Sequence, residues 1–477
     1  MYNTPSGRII PLLATLAVLA IGGTDASAQN AQPLVSPAPG FPACPDSTQP
    51  PDVIVTPCLA IVDFDDSVAS ATRAGVIRGA GAVMRFGLGV MNAAAAMVPN
   101  EDAWWSLALD PSVTRLYPDL PVHAIAPPSC SPWPDCKNGG GTIEPPPAET
   151  LGEGLLRIGA DMAWTTARGA GIGVAIIDTG LDSDHPDLAA NIGDGVNCLA
   201  GCVLGGWEDD HGHGTHVGGI VAAVEGNGLD IAGVAPDARL HAVKVLDASG
   251  SGSLSGVIAG VEWAAARGPL SLNGDIHVAN LSLGATGACA DAPAMQAAID
   301  AARAAGVTVV VAAGNNSNAE ISNMIPAGCA GVVAVASTTA EDGKSKCRQI
   351  PTGIPADVAS YFTTDGEGVT VSAPGEARED NNCATIQSVG ILSLAKGGGT
   401  VRMSGTSMAA PHVAGVVALM YGAKPDLSPA TASDILGNTA DLIGTAPLDN
   451  PYIGTFDGTR EGVVDATAAL AAASSLQ

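Results

Sequence analysis

The feature that most constrains the fold of this chain is a regular alternation after Thr150, where short apolar runs alternate with longer helical stretches. The apolar runs are nearly continuous, which is typical of strands buried on both faces, and the stretches between them are long enough for crossover helices. We therefore predict an α/β fold with a three-layer, doubly wound and mainly parallel sheet. In such a sheet, ligands and catalytic groups lie at the carboxyl ends of the strands.

The pattern predicts individual elements within this region. The predicted strands are residues 174–177, 240–246, 276–283, 307–312, 332–336 and 369–372. One predicted helix covers 254–267, with Ser253 as its cap, and another covers 293–305; further helices begin near His213, Thr406 and Pro429.

The region before Thr150 has a different organisation. Residues 1–28 combine Arg8, an apolar run and the small residues 26–28, which favours a signal peptide cut after Ala28 over a membrane anchor. A lead-in rich in Pro, Ala and Gln covers 29–51. Residues 52–126 have the pattern of a small α+β unit, with strands at 53–55, 59–62, within 83–97 and at 113–117, and helices at 68–76 and 102–109. A Pro- and Gly-rich linker covers 127–150, and 151–477 form the main domain.

Charge and cysteine content exclude some classes of function and indicate the compartment. The chain has 20 Lys and Arg against 47 Asp and Glu, a formal charge of -27 that would repel nucleic acids and anionic membranes. Its 10 cysteines in an exported protein favour disulfides. Cys44 and Cys58 lie early, and the other eight allow roughly a hundred pairings, among which we favour sequential ones. Cys198 and Cys202 have no companion residues at zinc spacing.

The first candidate catalytic segment is 171–180, where Asp178 directly follows a predicted strand. This places a carboxylate at the active edge of the sheet. Asp-Thr-Gly is also the signature of aspartic proteases, but those need two such carboxylates sharing a proton, and this chain has one Asp-Thr-Gly. A turn or capping aspartate is the ordinary structural alternative.

The second segment places His213 at the start of a helix rich in Gly and Ala, which can pack closely against the sheet. His216 lies three residues later on the same helix face, so zinc is a competing interpretation. The His-Glu-x-x-His pattern of zinc proteases does not occur in the chain. We therefore expect His216 to be a hydrogen-bonded packing residue and His211 to face solvent.

The third segment is the most specific. Ser407, two residues after Gly405, opens an apolar helix that contains Pro411. Its hydroxyl would lie at a positive helix terminus, where free N–H groups can meet developing negative charge. A serine that only caps the helix is the alternative for this segment alone.

Together and in this order, the three segments resemble the subtilisin-like serine proteases over residues 150–470. The resemblance implies a serine endopeptidase in which Ser407 is the nucleophile, His213 the general base and Asp178 its orienting carboxylate. Asn315 matches the oxyanion-hole asparagine of the family. Peptide substrates would add as a strand between two segments and enter a pocket walled by small residues; these residues are Gly250, Ser251, Gly252, Ser282, Leu283 and Gly284, with Ala312, Ala313 and Gly314 at the pocket.

The same resemblance implies a structural calcium ion. Its ligands would come from an acidic residue and a loop, namely Asp187, Glu225, Asn227, Leu229 and Ile231, with Asp230 at a position where the family usually has glycine. A further ligand from the amino-terminal side cannot be identified from the sequence.

Residues 52–126 acquire the role of an inhibitory and folding-assisting prodomain through this resemblance. We expect a monomeric enzyme that is secreted, extracellular or periplasmic, acts on proteins and peptides, and is inhibited by its own prodomain until a cut between about Val122 and Thr150. Two other classes stay open at this stage: an aspartic-type peptidase and a catalytically inactive binding protein of the same fold.

Overall fold

The structure is a computed structural model that describes residues 57–89, 92–125, 149–272, 274–317, 319–340, 357–380, 386–388, 390–442 and 461–476. The predicted signal peptide, the strand at 53–55, most of the linker at 127–150, and Cys44, Cys130, Cys136, Cys347 and Cys383 lie outside these residues. Among the described residues, no helix is both long and apolar enough to span a bilayer.

The amino-terminal unit is a four-stranded antiparallel sheet with two helices on one face. Its elements are β1 (Cys58–Phe64), α1 (Ser70–Gly79), β2 (Val83–Leu88), β3 (Ala93–Val98), α2 (Glu101–Ala108) and β4 (Val113–Pro118), in the spatial order β2-β3-β1-β4. The side chain of Asn100 caps α2 by accepting from the Ala103 amide. Ile77 and Trp104 from the two helices are fully buried against Val62 of β1, which builds a small separate core.

An eight-stranded sheet forms the centre of the main domain. Its strands are β6 (Gly173–Asp178), β7 (Ile192–Asn197), β8 (Val203–Leu204), β9 (Arg239–Lys244), β11 (Ile276–Leu281), β13 (Thr308–Ala312), β15 (Val333–Thr339) and β16 (Val371–Glu376). The spatial order is β16-β15-β13-β11-β6-β9-β7-β8, and only the β7/β8 pair is antiparallel. The predicted mainly parallel, doubly wound sheet is therefore confirmed, although β7 and β8 were not predicted.

Helices cover both faces of this sheet. They are α3 (Glu153–Arg157), α4 (Ala160–Ala163), α5 (His213–Ala222), α6 (Leu254–Ala266), α7 (Pro293–Ala304), α8 (Thr406–Ala423), α9 (Pro429–Thr439) and α10 (Ala466–Ser475). Side chains of β6 alternate between the two faces: Val174 and Ile176 pack with α5 and α8, whereas Ala175 and Ile177 pack with α6 and α7. Three layers with two apolar cores result.

Short strands extend the main domain, and one of them, β5, comes from the amino-terminal side of the linker. β10 (Ser251–Ser253), β5 (Pro121–Ala124), β12 (Leu283–Thr286) and β14 (Met324–Ile325) form a second sheet in that spatial order. Two hairpins pair β17 (Arg378–Asp380) with β18 (Ile386–Ser388), and β19 (Ile391–Leu394) with β20 (Thr400–Met403). Disulfides join Cys198 to Cys202 and Cys289 to Cys329, which confirms these two sequential pairs.

Candidate active site

The carboxylate of Asp178 and the imidazole of His213 form a buried pair at the carboxyl edge of the sheet. Asp178 is the last residue of β6 and is fully buried, and His213 is the first residue of α5. The Nδ1 atom of His213 lies 2.8 Å from Oδ1 and 3.0 Å from Oδ2 of Asp178. Burial opposes the cationic form of His213, but the nearby carboxylates of Asp178 and Asp209 outweigh it and raise the pKa of His213. This ring can accept a proton through Nε2.

Asp209 fixes the turn that delivers His213, and the sequence alone did not identify it. Its carboxylate accepts from the amides of His211 and Gly212 and from the amide and hydroxyl of Thr215, all at 2.6–3.0 Å. The hydroxyl of Thr179, directly after Asp178, donates to the same carboxylate at 2.9 Å. Burial opposes ionisation, yet these donors lower the pKa of Asp209. The Asp209 carboxylate therefore hydrogen-bonds both to the residue after Asp178 and to the turn before His213.

The hydroxyl of Ser407 lies at the beginning of α8 and hydrogen-bonds to backbone carbonyls rather than to His213. It donates to the carbonyl of Ser282 at 3.0 Å and to the carbonyl of Ile125 at 3.3 Å. Nε2 of His213 is buried and has no hydrogen-bond partner among the described residues. The hydroxyl is therefore held by backbone oxygens, and the imidazole nitrogen that would accept its proton is vacant.

Asn315 supplies a donor beside this hydroxyl. Its Nδ2 donates to the Ile125 carbonyl at 2.9 Å, while its Oδ1 accepts from the amide and the hydroxyl of Thr406, both at 2.9 Å. Gly405 has a φ of 151°, and a Cβ there would lie 2.9 Å from Nδ2 of Asn315 and 3.2 Å from the Ile125 oxygen. Only glycine leaves this space free, so a carbonyl can approach the donor.

Strand β5, with Ile125 after it, occupies the groove that leads to Ser407. It pairs antiparallel with β10 through His123 and Ser251, and antiparallel with β12 through Ala124 and Leu283. The amide of Ala124 also donates to the Gly250 carbonyl at 2.9 Å. The chain's own residues 121–125 thus lie in the groove as an added strand, between the two segments predicted to bind substrate. The sequence did not predict this strand.

Cavities remain beside the inserted strand. One of about 460 Å³ is lined by Ile125, Gly284, Asn315, Asn316 and Met324 among others. Ala312 and Ala313, predicted as pocket walls, have side chains buried in the two cores instead, one on each face of the sheet. Gly314 packs beside Thr364 and Met324. Among these predicted wall residues, none contributes a side chain to this cavity, and Met324 is a lining residue that the sequence did not reveal.

The other predicted substrate residues lie along the groove. Gly252 pairs with Val122, and Gly284 pairs with His123. Ser282 is fully buried, and its hydroxyl donates to the Ser407 carbonyl at 2.9 Å. The structure therefore brings the predicted strand segments and the predicted catalytic side chains to one place.

His211 and His216 make contacts on either side of His213 in the chain. Nε2 of His216 is within hydrogen-bond distance of the Ile391 and Val401 carbonyls, at 3.1 and 3.2 Å, so this ring joins α5 to the β19–β20 hairpin as a packing residue. Its burial lowers its pKa to about 3. His211 is half-buried rather than solvent-facing, because its Nδ1 accepts from the His213 amide at 3.3 Å and its ring packs against that of His213.

The predicted calcium loop is held by carboxylates. Asp187 accepts from the side-chain amide of Asn227 at 2.7 Å and from the backbone amide of Ile231 at 3.0 Å. Glu149, not identified from the sequence, accepts from the backbone amides at 226 and 228. Burial, with contributions from Asp230 and Glu149, raises the pKa of Asp187 to about 7.

Two other predicted calcium ligands make contacts of their own. The Glu225 carboxylate pairs with Arg168 at 2.8 Å, so only its backbone carbonyl is available to an ion. Leu229 donates its amide to the Asn227 side-chain oxygen at 2.7 Å. Among the described residues, no three acidic, histidine or cysteine side chains converge closely enough to hold a metal by themselves. A cation here would depend on carbonyl and amide oxygens around Asp187.

Comparison with known proteins identifies one family and several similar proteases. The model of the subtilase family matches residues 169–463. Subtilisin Savinase of Lederbergia lenta is 36% identical over 302 residues, which are 63% of this chain and 95% of that protein. The extracellular protease of Xanthomonas campestris is 34% identical over 445 residues, covering 85% of this chain and 68% of that protein.

A solved structure extends the similarity to most of the chain. Fervidolysin from Fervidobacterium pennivorans, described as a keratinolytic enzyme related to subtilisin, superimposes with a TM-score of 0.64 at 26% identity. The match covers 91% of this chain and 63% of that one.

Proposed function

The chain belongs to the subtilase family and is a serine endopeptidase, and from this premise we propose that Ser407, His213, Asp178 and Asn315 perform its chemistry. The observation that carries the proposal is the position of the Ile125 carbonyl. It lies 2.9 Å from the Asn315 donor and 3.3 Å from the Ser407 hydroxyl, where a scissile carbonyl would need to be.

The proposed reaction begins with a rotation of the Ser407 side chain. Its hydroxyl leaves the Ser282 carbonyl and turns toward Nε2 of His213, which takes the proton as the oxygen attacks the substrate carbonyl. Asp178 holds the Nδ1–H tautomer and stabilises the imidazolium. His213 then gives the proton to the leaving amine, and the peptide carbonyl stays bonded to Ser407 as an ester until water hydrolyses it.

Two donors would stabilise the oxyanion. One is Nδ2 of Asn315, and the other is the backbone N–H of Ser407, the second residue of α8, which a helix leaves without an intrahelical acceptor. Thr406 keeps the Asn315 amide in place through two hydrogen bonds to its oxygen. The donors are therefore oriented before the charge develops.

We propose further that the enzyme is secreted as a precursor inhibited by residues 52–126. Support comes from β5, which fills the substrate groove, and from Val122, which is fully buried in it. Because the carbonyl of Ile125 lies at the proposed oxyanion site, the bond that follows it is placed for cleavage. Maturation would therefore cut between Ile125 and Ala126, and the linker would be removed afterwards.

Mass spectrometry of the purified chain tests both proposals. The wild-type chain is expected to yield a fragment that ends at Ile125 and to hydrolyse a peptide substrate, because the attacking hydroxyl and the carbonyl are adjacent. The Ser407→Ala chain is expected to stay uncut and inactive. As a matched control, Ser475→Ala removes an exposed hydroxyl on α10 and should behave as the wild type does. Cleavage and hydrolysis in Ser407→Ala would contradict the assignment.

A structural calcium ion is also proposed at the loop around Asp187. The residue types support this proposal, since a carboxylate, a side-chain amide and backbone carbonyls are the oxygen donors that a hard cation prefers. Asp187 and Asn227 would bind it through side chains, and Glu225, Leu229 and Ile231 through backbone carbonyls. The ion would cross-link this loop to the segment that carries Asp187 and so stabilise the fold.

A further inference from the structure

The disulfide between Cys198 and Cys202 closes a small ring that contacts the amino-terminal unit. We call residues 198–202 the disulfide ring. The Leu199 carbonyl accepts a hydrogen bond from Nη2 of Arg85 at 3.2 Å. Gly201 has a φ of 90°, and a Cβ there would come 3.0 Å from Cβ and 3.2 Å from Cγ of Phe86. The ring therefore offers a carbonyl to one side chain of β2 and a bare glycine surface to the next.

Arg85 connects the disulfide ring to the entrance of the groove. Its Nη1 donates to Asp119 at 3.2 Å, and both side chains are nearly or fully buried. The Asp119 carboxylate accepts from the amide and hydroxyl of Ser255, both at 2.8 Å, at the beginning of α6. The Leu120 carbonyl accepts from the Leu254 amide at 2.8 Å, one residue before β5 begins. The guanidinium group of Arg85 thus contacts both the disulfide ring and Asp119, which lies just before the strand inserted in the groove.

The ring lies at one edge of the central sheet. It connects β7 to β8, and β8 is the edge strand of the central sheet, with Val203 and Leu204 both exposed. Cys198 is fully buried, whereas Cys202 is exposed. A surface segment of this kind samples many conformations unless it is tied, and ordering it upon docking would weaken the docking. The bond between Cys198 and Cys202 is such a tie.

We infer that the disulfide ring is a docking platform for the chain's own amino-terminal unit, and that its disulfide strengthens the hold of residues 57–125 on the active-site groove. The inference rests on the proposed autoinhibition. Opening the ring leaves Asp178, His213 and Ser407 untouched, so it would loosen the inhibitor without changing the chemistry.

The test measures access to Ser407 in the full chain. Ala126→Pro keeps the chain uncut, because a proline amide does not suit cleavage at that bond, and a fluorophosphonate labels Ser407 when the groove is open. Cys198→Ser combined with Cys202→Ser is expected to speed labelling about tenfold or more, the effect of losing one hydrogen bond from a charged donor. Arg85→Ala should give a similar increase and add little in the ring-opened chain. Arg78→Ala, on the exposed face of α1, is the matched arginine control and should not change the rate.

Several outcomes separate this inference from the proposed autoinhibition. If the intact-ring chain labels as fast as the matured enzyme, the autoinhibition itself is wrong. If it labels slowly but ring opening does not speed it, the docking platform is wrong. A matched rise in peptide hydrolysis by the matured ring-opened enzyme would also overturn the inference, because the effect would then belong to the chemistry. Should the ring-opened chain fail to fold, Gly201→Ala decides with the disulfide intact: faster labelling supports the platform, and an unchanged rate overturns it.

Discussion

Substitution of Asn315 separates the donor function of this side chain from its structural function. The nitrogen donates toward the proposed oxyanion site, and the oxygen accepts two hydrogen bonds from Thr406. Asn315→Ala removes both functions. Asn315→Asp keeps an acceptor for Thr406 but replaces the donor with a negatively charged oxygen.

The contacts set the expected magnitudes. Loss of one oxyanion donor costs roughly 10²- to 10³-fold in kcat, about 3–4 kcal/mol of transition-state stabilisation. Asn315→Ala should show this loss and should also destabilise the fold by about 1–3 kcal/mol, because the buried Thr406 amide loses its acceptor. Asn315→Asp should lose at least as much kcat, since a carboxylate repels the developing oxyanion, but should retain more stability.

Two measurements test the role of Asn315. Steady-state hydrolysis of a chromogenic peptide by the matured variants gives kcat and KM, and thermal unfolding of the uncut chains in a Ser407→Ala background gives the stability without self-digestion. We expect KM to change little, because the donor acts mainly in the transition state. A kcat within about threefold of wild type in both variants would refute the role of Asn315.

Four further predictions concern catalysis, ionisation and metal binding. The value of kcat/KM should fall as pH decreases through the pKa of His213, which the carboxylates of Asp178 and Asp209 raise above its ordinary value despite burial; an acidic limb centred below the ordinary pKa of histidine would contradict this. Asp178→Asn should reduce kcat by about 10⁴, and a kcat close to that of the wild type would contradict the role of Asp178. Burial raises the pKa of Asp63 to about 6 from 3.8, so the stability that its protonated form gives is lost as pH rises through 6. Denaturant unfolding should therefore show that Asp63→Asn gains up to about 3 kcal/mol at pH 8 and that the gain fades toward pH 4; a pH-independent difference would count against it. A chelator should lower the Tm of the wild type but not of Asp187→Ala, and equal shifts would argue against calcium at that loop.

Much of the main domain follows from local patterns in the sequence. The predicted helix at 254–267 is observed as Leu254–Ala266, with the side chain of Ser253 accepting from the Gly256 amide as its cap. The predicted strands agree with β6, β9, β11, β13 and β15 except at their ends, whereas the strand predicted at 369–372 overlaps β16 only at residues 371 and 372. Long apolar runs and caps are local features, which is why they could be recognised without tertiary information.

The features that the sequence did not predict depend on contacts between distant segments of the chain. β5 is a four-residue strand whose partners, β10 and β12, lie more than a hundred residues further along the chain, so no local pattern indicates it. Glu149 reaches its loop across a separation of 77 residues, and Asp209 acts through amides that its own turn positions. Their functions exist only in the folded chain.

Labelling of the matured enzyme with a serine-directed fluorophosphonate tests the central claim most directly. We predict that one label per molecule attaches to Ser407, that the loss of peptide hydrolysis is proportional to the labelled fraction, and that the Ser407→Ala chain neither labels nor hydrolyses. Full hydrolysis by molecules labelled at Ser407, or inhibition by pepstatin without labelling, would contradict the assignment of this chain's chemistry to Ser407.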